Sequence, residues 1–432
     1  MTTGPEDRFE RSVPRKVFWR IVPLCFGLYV VSYLNRANIG YAALQMNQEL
    51  GLTSAAFGFA AGIFFIGYFL FEVPSNMALA RFGARVWIAR ILITWGLLAA
   101  LSAFVQNAWQ LYVLRFLLGV AEAGFFPGII IYLTYWVRAK EQATTIAAFT
   151  AAIPISLLLG APISTLIMDH ISAFGLSGWR WMLLLEALPP ILGGLLTLAF
   201  LTDRPEQARW LQPAERAWLT AQIERDRTEG AHRKHLGLFQ AITEPKVLLL
   251  SAIYFVYQCG SLGVGYWLPQ IVKAGAASLS NLQVGLVTTF PYAVATAGMI
   301  AWSRRSDRTG ERQMHAALPL LVSGLALGAV VLSRDLVTSI LLISAALTGL
   351  YAFKAPFWAL PGLFLSRSTA AVSIAAINSI GNLGGFVGPY AIGLVKDRTG
   401  GPVGGLVFLA SLTLAAFVLT LRARLRAPAA AA

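Results

Sequence analysis

Long apolar runs separated by short polar breaks dominate this chain. A helix crossing a bilayer needs roughly 20 mainly apolar residues. On that scale the sequence predicts twelve spans, at about 19–44, 57–79, 86–105, 109–136, 144–168, 180–201, 247–271, 284–302, 315–333, 337–362, 371–394 and 403–421. A hydrophilic stretch, about 202–246, divides them six and six. It contains "PAERAWLTAQIERDR", in which Trp218, Leu219 and Ile223 share one side of a short helix. That is the pattern of an amphipathic segment lying at a membrane surface. The expected fold is an all-α membrane protein with twelve transmembrane helices in two pseudo-symmetric six-helix bundles. The N-terminal bundle covers 1–201, a cytoplasmic linker 202–246, and the C-terminal bundle 247–432.

Composition agrees with this reading. Of 432 residues, 57% are hydrophobic and 12% charged, where soluble chains carry about 25% charged residues. The N-terminus lacks a short apolar core followed by a small-residue cleavage site, so the first apolar stretch reads as a retained span. Cys25 and Cys259 both fall in apolar segments and offer neither a disulfide framework nor a metal site. Three of the four histidines (His232, His235 and His315) lie in polar loops, so no metal or other cofactor is expected.

The net charge of +14 raises the question of nucleic acid. The basic residues, however, gather at span ends, which is an orientation signal, so a lipid bilayer is the expected surroundings and nucleic acid is not. With both termini cytoplasmic, the inner loops hold Arg81, Arg85, Arg138, Lys140, Arg304, Arg305, Arg308, Arg312 and Arg367. The outer loops 45–56 and 105–108 hold no Lys or Arg, and "KDRTGG" at 396–401 is the exception. A multi-pass protein of the cell's inner membrane, functional as a monomer, is the expectation.

The halves echo each other. "NMALARFGAR" (76–85) and "SRRSDRTGER" (303–312) both place a basic residue, one further residue and Gly in the same order, 227 residues apart. The same shift lays Pro127 of "FFPG" on Lys354. Repeated halves with a site between them near the midplane are the build of an alternating-access transporter.

These features resemble the major facilitator superfamily, and within it the anion:cation symporter family of organic-anion carriers. "SDRTGER" is similar to the superfamily's loop motif, with Asp307, Arg308, Gly310 and Arg312 in register. The first-half copy departs from it, with Asn76 in place of Gly and Ala80 in place of Asp. "YLNRANIGYA" (33–42), "FEVPSNMALARFGAR" (71–85), "GWRWMLLLEALPP" (178–190) and "NSIGNLGGFVGPY" (378–390) resemble the symporter family's own blocks. The resemblance covers nearly the whole length and implies uptake of a carboxylate, commonly coupled to protons.

A charge at the bilayer centre costs at least about 2.5–3.5 kcal/mol, so each intramembrane charge needs a partner or a function. Arg36 is the only charged residue within 21–46. Its planar guanidinium fork suits a carboxylate. The resemblance assigns it to substrate, and a structural pair with Glu122 is the alternative. Arg115 and Glu122 stand seven apart on one helix face. The resemblance connects both with coupling and gating, which makes Glu122 the expected proton-coupling residue. Several members of the family it resembles carry an acid immediately before the first-helix arginine, as a second protonation site, where this chain has Asn35. Glu72, Arg90 and Glu186 read as structural.

Lys354, in "YAFKAPFWALP" (351–361), is the only charge between Asp335 and Arg367. Trp358 lies one turn on and shares its face. A second cation, opposite Arg36, would favour a dicarboxylate; pairing with Glu122 is the alternative. Tyr33, Tyr68, Asn378 and Asn382 complete the expected substrate contacts, together with Arg115. The expected function is import of an organic anion, a phthalate- or tartrate-like dicarboxylate, with protons by alternating access. Anion exchange and a non-transporting membrane sensor are the competing readings. No nucleophile–base constellation speaks for an enzyme, and no GxxxxGK[ST] sequence for an ATP-driven pump.

Overall fold

The structure is a computed structural model that describes residues 5–231, 243–361, 367–401 and 403–423. Every regular element among these residues is a helix. In the first half they are α1 (Pro5–Glu49), α2 (Ser54–Phe82), α3 (Ala84–Leu101), α4 (Ala108–Glu122), α5 (Phe125–Thr134), α6 (Ala139–Thr150), α7 (Ala152–His170) and α8 (Gly178–Phe200). The linker contributes α9 (Pro213–Ala231). The second half contributes α10 (Pro245–Gly275), α11 (Asn281–Thr309), α12 (Gln313–Val330), α13 (Leu336–Ala359), α14 (Arg367–Asn382), α15 (Gly384–Thr399) and α16 (Val403–Arg422).

Eleven helical segments are long and apolar enough to cross a membrane. The twelfth expected span, 371–394, is there as a broken pair: α14 and α15 are 16 residues each and meet at Leu383. The break falls in "GNLGG", where close packing excludes side chains. A Cβ on Gly384 would sit 2.3 Å from the carbonyl oxygen of Phe255. The fourth expected span is likewise divided. α4 and α5 meet at Gly124, whose φ of +83° is left-handed and suits glycine.

The linker helix does more than lie on a surface. Leu219 is buried, Trp218 stands 6.5 Å from Phe9 ring to ring, and the Arg138 guanidinium lies 5.0 Å above Trp218. The helix is thus docked against the start of α1 and the α5–α6 turn.

The halves meet at the end of the bundle opposite the termini. Gly40 packs on the Tyr266 backbone, Gly58 on Pro389, and Gly285 on Ala161 and Thr165. Two aspartates then close this end reciprocally. Asp397, at the end of α15, accepts the backbone N–H groups of Ser54 (2.9 Å) and Ala55 (2.8 Å) at the start of α2. Asp169, at the end of α7, accepts from the Leu282 N–H (2.7 Å) and the Asn281 amide (2.6 Å) at the start of α11. Each half therefore caps a helix of the other, where unpaired N–H groups and the helix dipole favour a carboxylate. The two caps stand in nearly the repeat register seen in the sequence. Nearer the terminus end, the polar link between halves among the described residues is Ser379 Oγ to Glu72 Oε2, at 2.9 Å.

Candidate functional site

Arg36 points from α1 into the space between the halves. Its Nη2 is ion-paired with Glu122, which also accepts from Ser32 Oγ at 3.1 Å. The guanidinium lies 5.3–5.5 Å from the rings of Tyr33, Phe64 and Tyr68. Three aromatic faces thus surround the cation and shield it from water. Glu122 is 2% exposed at its side chain and Arg36 18%, so the arginine is the reachable member of the pair. The pairing weighed as the alternative for Arg36 is the arrangement found. Arg36 Nε is buried without a hydrogen-bond partner.

Arg115 does not join this pair. It is buried, its Nε donates to the Ala60 carbonyl at 3.3 Å, and it lies 5.1 Å from the Phe64 ring. Phe64 therefore sits between the two arginines, and one Nη of Arg115 is buried with no hydrogen-bond partner.

Lys354 projects from α13 in the other half. Its ammonium lies 5.4 Å from the Tyr351 ring and is hydrogen-bonded to Tyr257. Glu122 is engaged by Arg36, so the alternative pairing of Lys354 with Glu122 is not what this structure holds. Trp358 stands edge-on to Tyr254 at 4.9 Å, so the lysine and the indole share that tyrosine as neighbour. Tyr33 lies under Arg36, with its ring centroid 5.5 Å from the guanidinium. Asn382 accepts from Gln258 Nε2 at 3.0 Å, and Asn378 lies half-buried one turn earlier on α14.

Several of these neighbours were not anticipated from sequence. Tyr254, Tyr257 and Gln258 occupy one face of α10, and their i, i+3, i+4 spacing in an otherwise apolar span was the available signal. Glu72, read as structural, reaches Ser379 across the halves. Arg90 stacks on Trp87 at 3.9 Å. Glu186 has a set of partners described below.

In the loop motif, Arg312 Nη1 donates to Asp307 (2.6 Å) and to Ser306 Oγ (3.0 Å), and Gly310 takes the left-handed φ of +70° at the helix end. Arg308 lies exposed in the last turn of α11. In the first-half copy, Asp203 accepts the Arg85 backbone N–H at 2.8 Å, at the start of α3.

The pattern of the Major Facilitator Superfamily matches residues 25–389, most of the chain. The chain belongs to the major facilitator superfamily. It is 48% identical over 418 residues to a "Putative tartrate transporter" of Agrobacterium vitis, covering 95% of this chain and 91% of that one. It is 40% identical over 427 residues to the "Putative metabolite transport protein NicT" of Pseudomonas putida, covering 97% and 96%. The xylose transporter XylE from E. coli, in a partially occluded inward open conformation, shares the fold with a TM-score of 0.73 at 14% identity, covering 94% of this chain and 99% of that one. This member of the superfamily is a multi-pass membrane transporter of small molecules, not an enzyme. Among its described residues no group of His, Cys, Asp or Glu could hold a metal ion.

For such a transporter the geometry has a chemical consequence. An anion that took the Arg36 Nη2 would compete there with Glu122.

Proposed function

We propose that this transporter imports a dicarboxylate, tartrate-like or phthalate-like, with protons by alternating access across the inner membrane, its termini on the cytoplasmic side. The observation that carries the reading is the pair of cations on opposite halves, Arg36 and Lys354, each set among aromatic rings. One carboxylate takes the Arg36 fork, the other meets the Lys354 ammonium, and Trp358 and Tyr254 cover the body of the anion. The name borne by the Agrobacterium vitis relatives supports this substrate class.

Proton coupling follows from the competition at Arg36. Substrate displaces Glu122, and Glu122, left with the uncharged Ser32 hydroxyl as its hydrogen-bond partner, takes a proton. A dicarboxylate entering against an inside-negative potential needs compensating cations, since each charge moved costs about 2.3 kcal/mol per 100 mV. The acid-capped, closed end would face outward and the terminus end inward. Asparagine at position 35 cannot titrate, and that observation favours anion exchange as the second reading.

Proteoliposomes distinguish the two. Symport predicts accumulation of radiolabelled tartrate when an inward proton gradient is imposed on vesicles free of internal anion. Uptake that ignores the gradient and requires internal dicarboxylate would establish exchange instead.

A further inference from the structure

We propose that Glu186 is a proton-binding carboxyl of this transporter, a second site beside Glu122; this rests on the proton-coupled reading above. Its side chain is enclosed where α1, α7 and α8 meet, and the residue is 4% exposed. Ser164 Oγ donates to one carboxyl oxygen at 2.6 Å, and Asn38 Nδ2 to the other at 2.8 Å. Asn35 Nδ2 donates to the Glu186 backbone carbonyl at 2.6 Å. The residue that cannot titrate on α1 is thus bonded to the one on α8 that can.

Among the described residues no cation pairs with this carboxyl. From α1 it meets Asn35 and Asn38, with Tyr41 the nearest titratable group on that helix; from α7 it meets Ser164. α3, packed along the other side of α8, turns Gly96 toward Ala187 and carries Arg85 and Arg90 as its charged residues. Arg85 bonds the Leu198 carbonyl and Arg90 stacks on Trp87, so neither turns to Glu186. On α8 itself, Arg180 pairs with Glu49 at 2.8 Å. An ionised carboxylate taken out of water without a countercharge is so costly that such groups neutralise by binding a proton.

The partners suit both protonation states. A hydroxyl donates or accepts by rotating, and a carboxamide does so by exchanging its oxygen and nitrogen ends. Ser164 and Asn38 can therefore serve Glu186 as a carboxylate or as an acid without leaving a polar atom unpaired. Glu122 differs, because Arg36 offers it donors alone.

The location connects this proton to the contact between halves. Tyr41 of α1 has its hydroxyl 3.4 Å from Thr288 Oγ1 in the other half. Ser164 adjoins Thr165, against which Gly285 of the other half packs. A change of charge at Glu186 acts on both helices that close the end opposite the termini.

Infrared difference spectroscopy of the purified protein tests this without substrate. A protonated-carboxyl carbonyl band should be present in the wild type, diminish on alkaline titration, and be absent in Glu186→Gln while present in Glu122→Gln. In Ser164→Ala the same band should move to higher frequency, because its carbonyl has lost a hydrogen-bonding neighbour. A band of equal intensity in wild type and Glu186→Gln, or one unmoved in Ser164→Ala, would overturn the assignment. Failure of the dicarboxylate reading would appear separately, as proteoliposomes that do not take up tartrate although the band behaves as stated.

Discussion

The two cations between the halves live in opposite surroundings. Arg36 is held in an ion pair with Glu122 and enclosed by three aromatic rings. Lys354 has the Tyr257 hydroxyl and the Tyr351 ring, and Glu122 is taken by Arg36. One cation must give up a partner to bind an anion, and the other need not. The difference assigns them different work. An anion arriving at Arg36 releases a carboxylate and so engages the proton, whereas one arriving at Lys354 gains attraction without that exchange. On the proposed reading, coupling belongs to the first half and discrimination between substrates to the second.

The largest effect on this contrast should come from Arg36→Ala. Breaking a buried pair by removing one member costs about 3–5 kcal/mol, and here the primary anion fork disappears as well. Tartrate binding, read by calorimetry on purified protein, should fall below detection, and persistence near wild-type affinity would remove Arg36 from the site. Next comes Glu122→Gln, which leaves the arginine without a competitor. Accumulation of tartrate on an imposed proton gradient should be lost while downhill exchange continues. A mutant that still concentrates substrate would relocate coupling.

Smaller effects should come from the reciprocal caps. Replacing a capping acid costs about 0.5–2 kcal/mol. Asp169→Asn and Asp397→Asn should each favour separation of the capped end, read as several-fold faster labelling of a cysteine introduced there. The native Cys25 and Cys259 are buried and give little background. Equal labelling in both variants and the wild type would show that the caps do not hold this end.

The smallest effect should be that of acid on Asp397. Its partial burial works against the charge, but the Ala55 and Ser54 amides outweigh it and hold the carboxyl below its usual range. A lowered carboxyl stabilises its contact above the ordinary carboxylate range and loses it as pH falls through the lowered one. Labelling of the capped end should therefore rise only in that acid window and be insensitive to pH above it. In Asp397→Asn this acid step should be missing.

Much of this fold was legible because a bilayer demands long apolar helices, and loop charge orders them. The intramembrane charges could be read one by one for the same reason: in 21–46 and 336–366 a single cation stands out. Arg36 with Glu122 was among the pairings a sequence can suggest. What sequence could not reveal depends on approach between distant segments. The break at Leu383 follows from packing of Gly384 on Phe255, and the caps at Asp169 and Asp397 require helix ends brought together from opposite halves. Glu186 looked structural because its partners, Asn38 and Ser164, are 148 and 22 residues away and carry no charge.

The central claim is that Arg36 and Lys354 each receive one carboxylate, and Lys354→Ala tests it most directly. A hydrogen bond to a charged group is worth about 1.5–3 kcal/mol, or roughly tenfold to over a hundredfold in affinity. Calorimetric titration of wild type and Lys354→Ala with tartrate and with its monocarboxylate counterpart should show that loss for the dicarboxylate and little change for the monocarboxylate. Equal weakening of both, or of neither, would contradict the two-cation site.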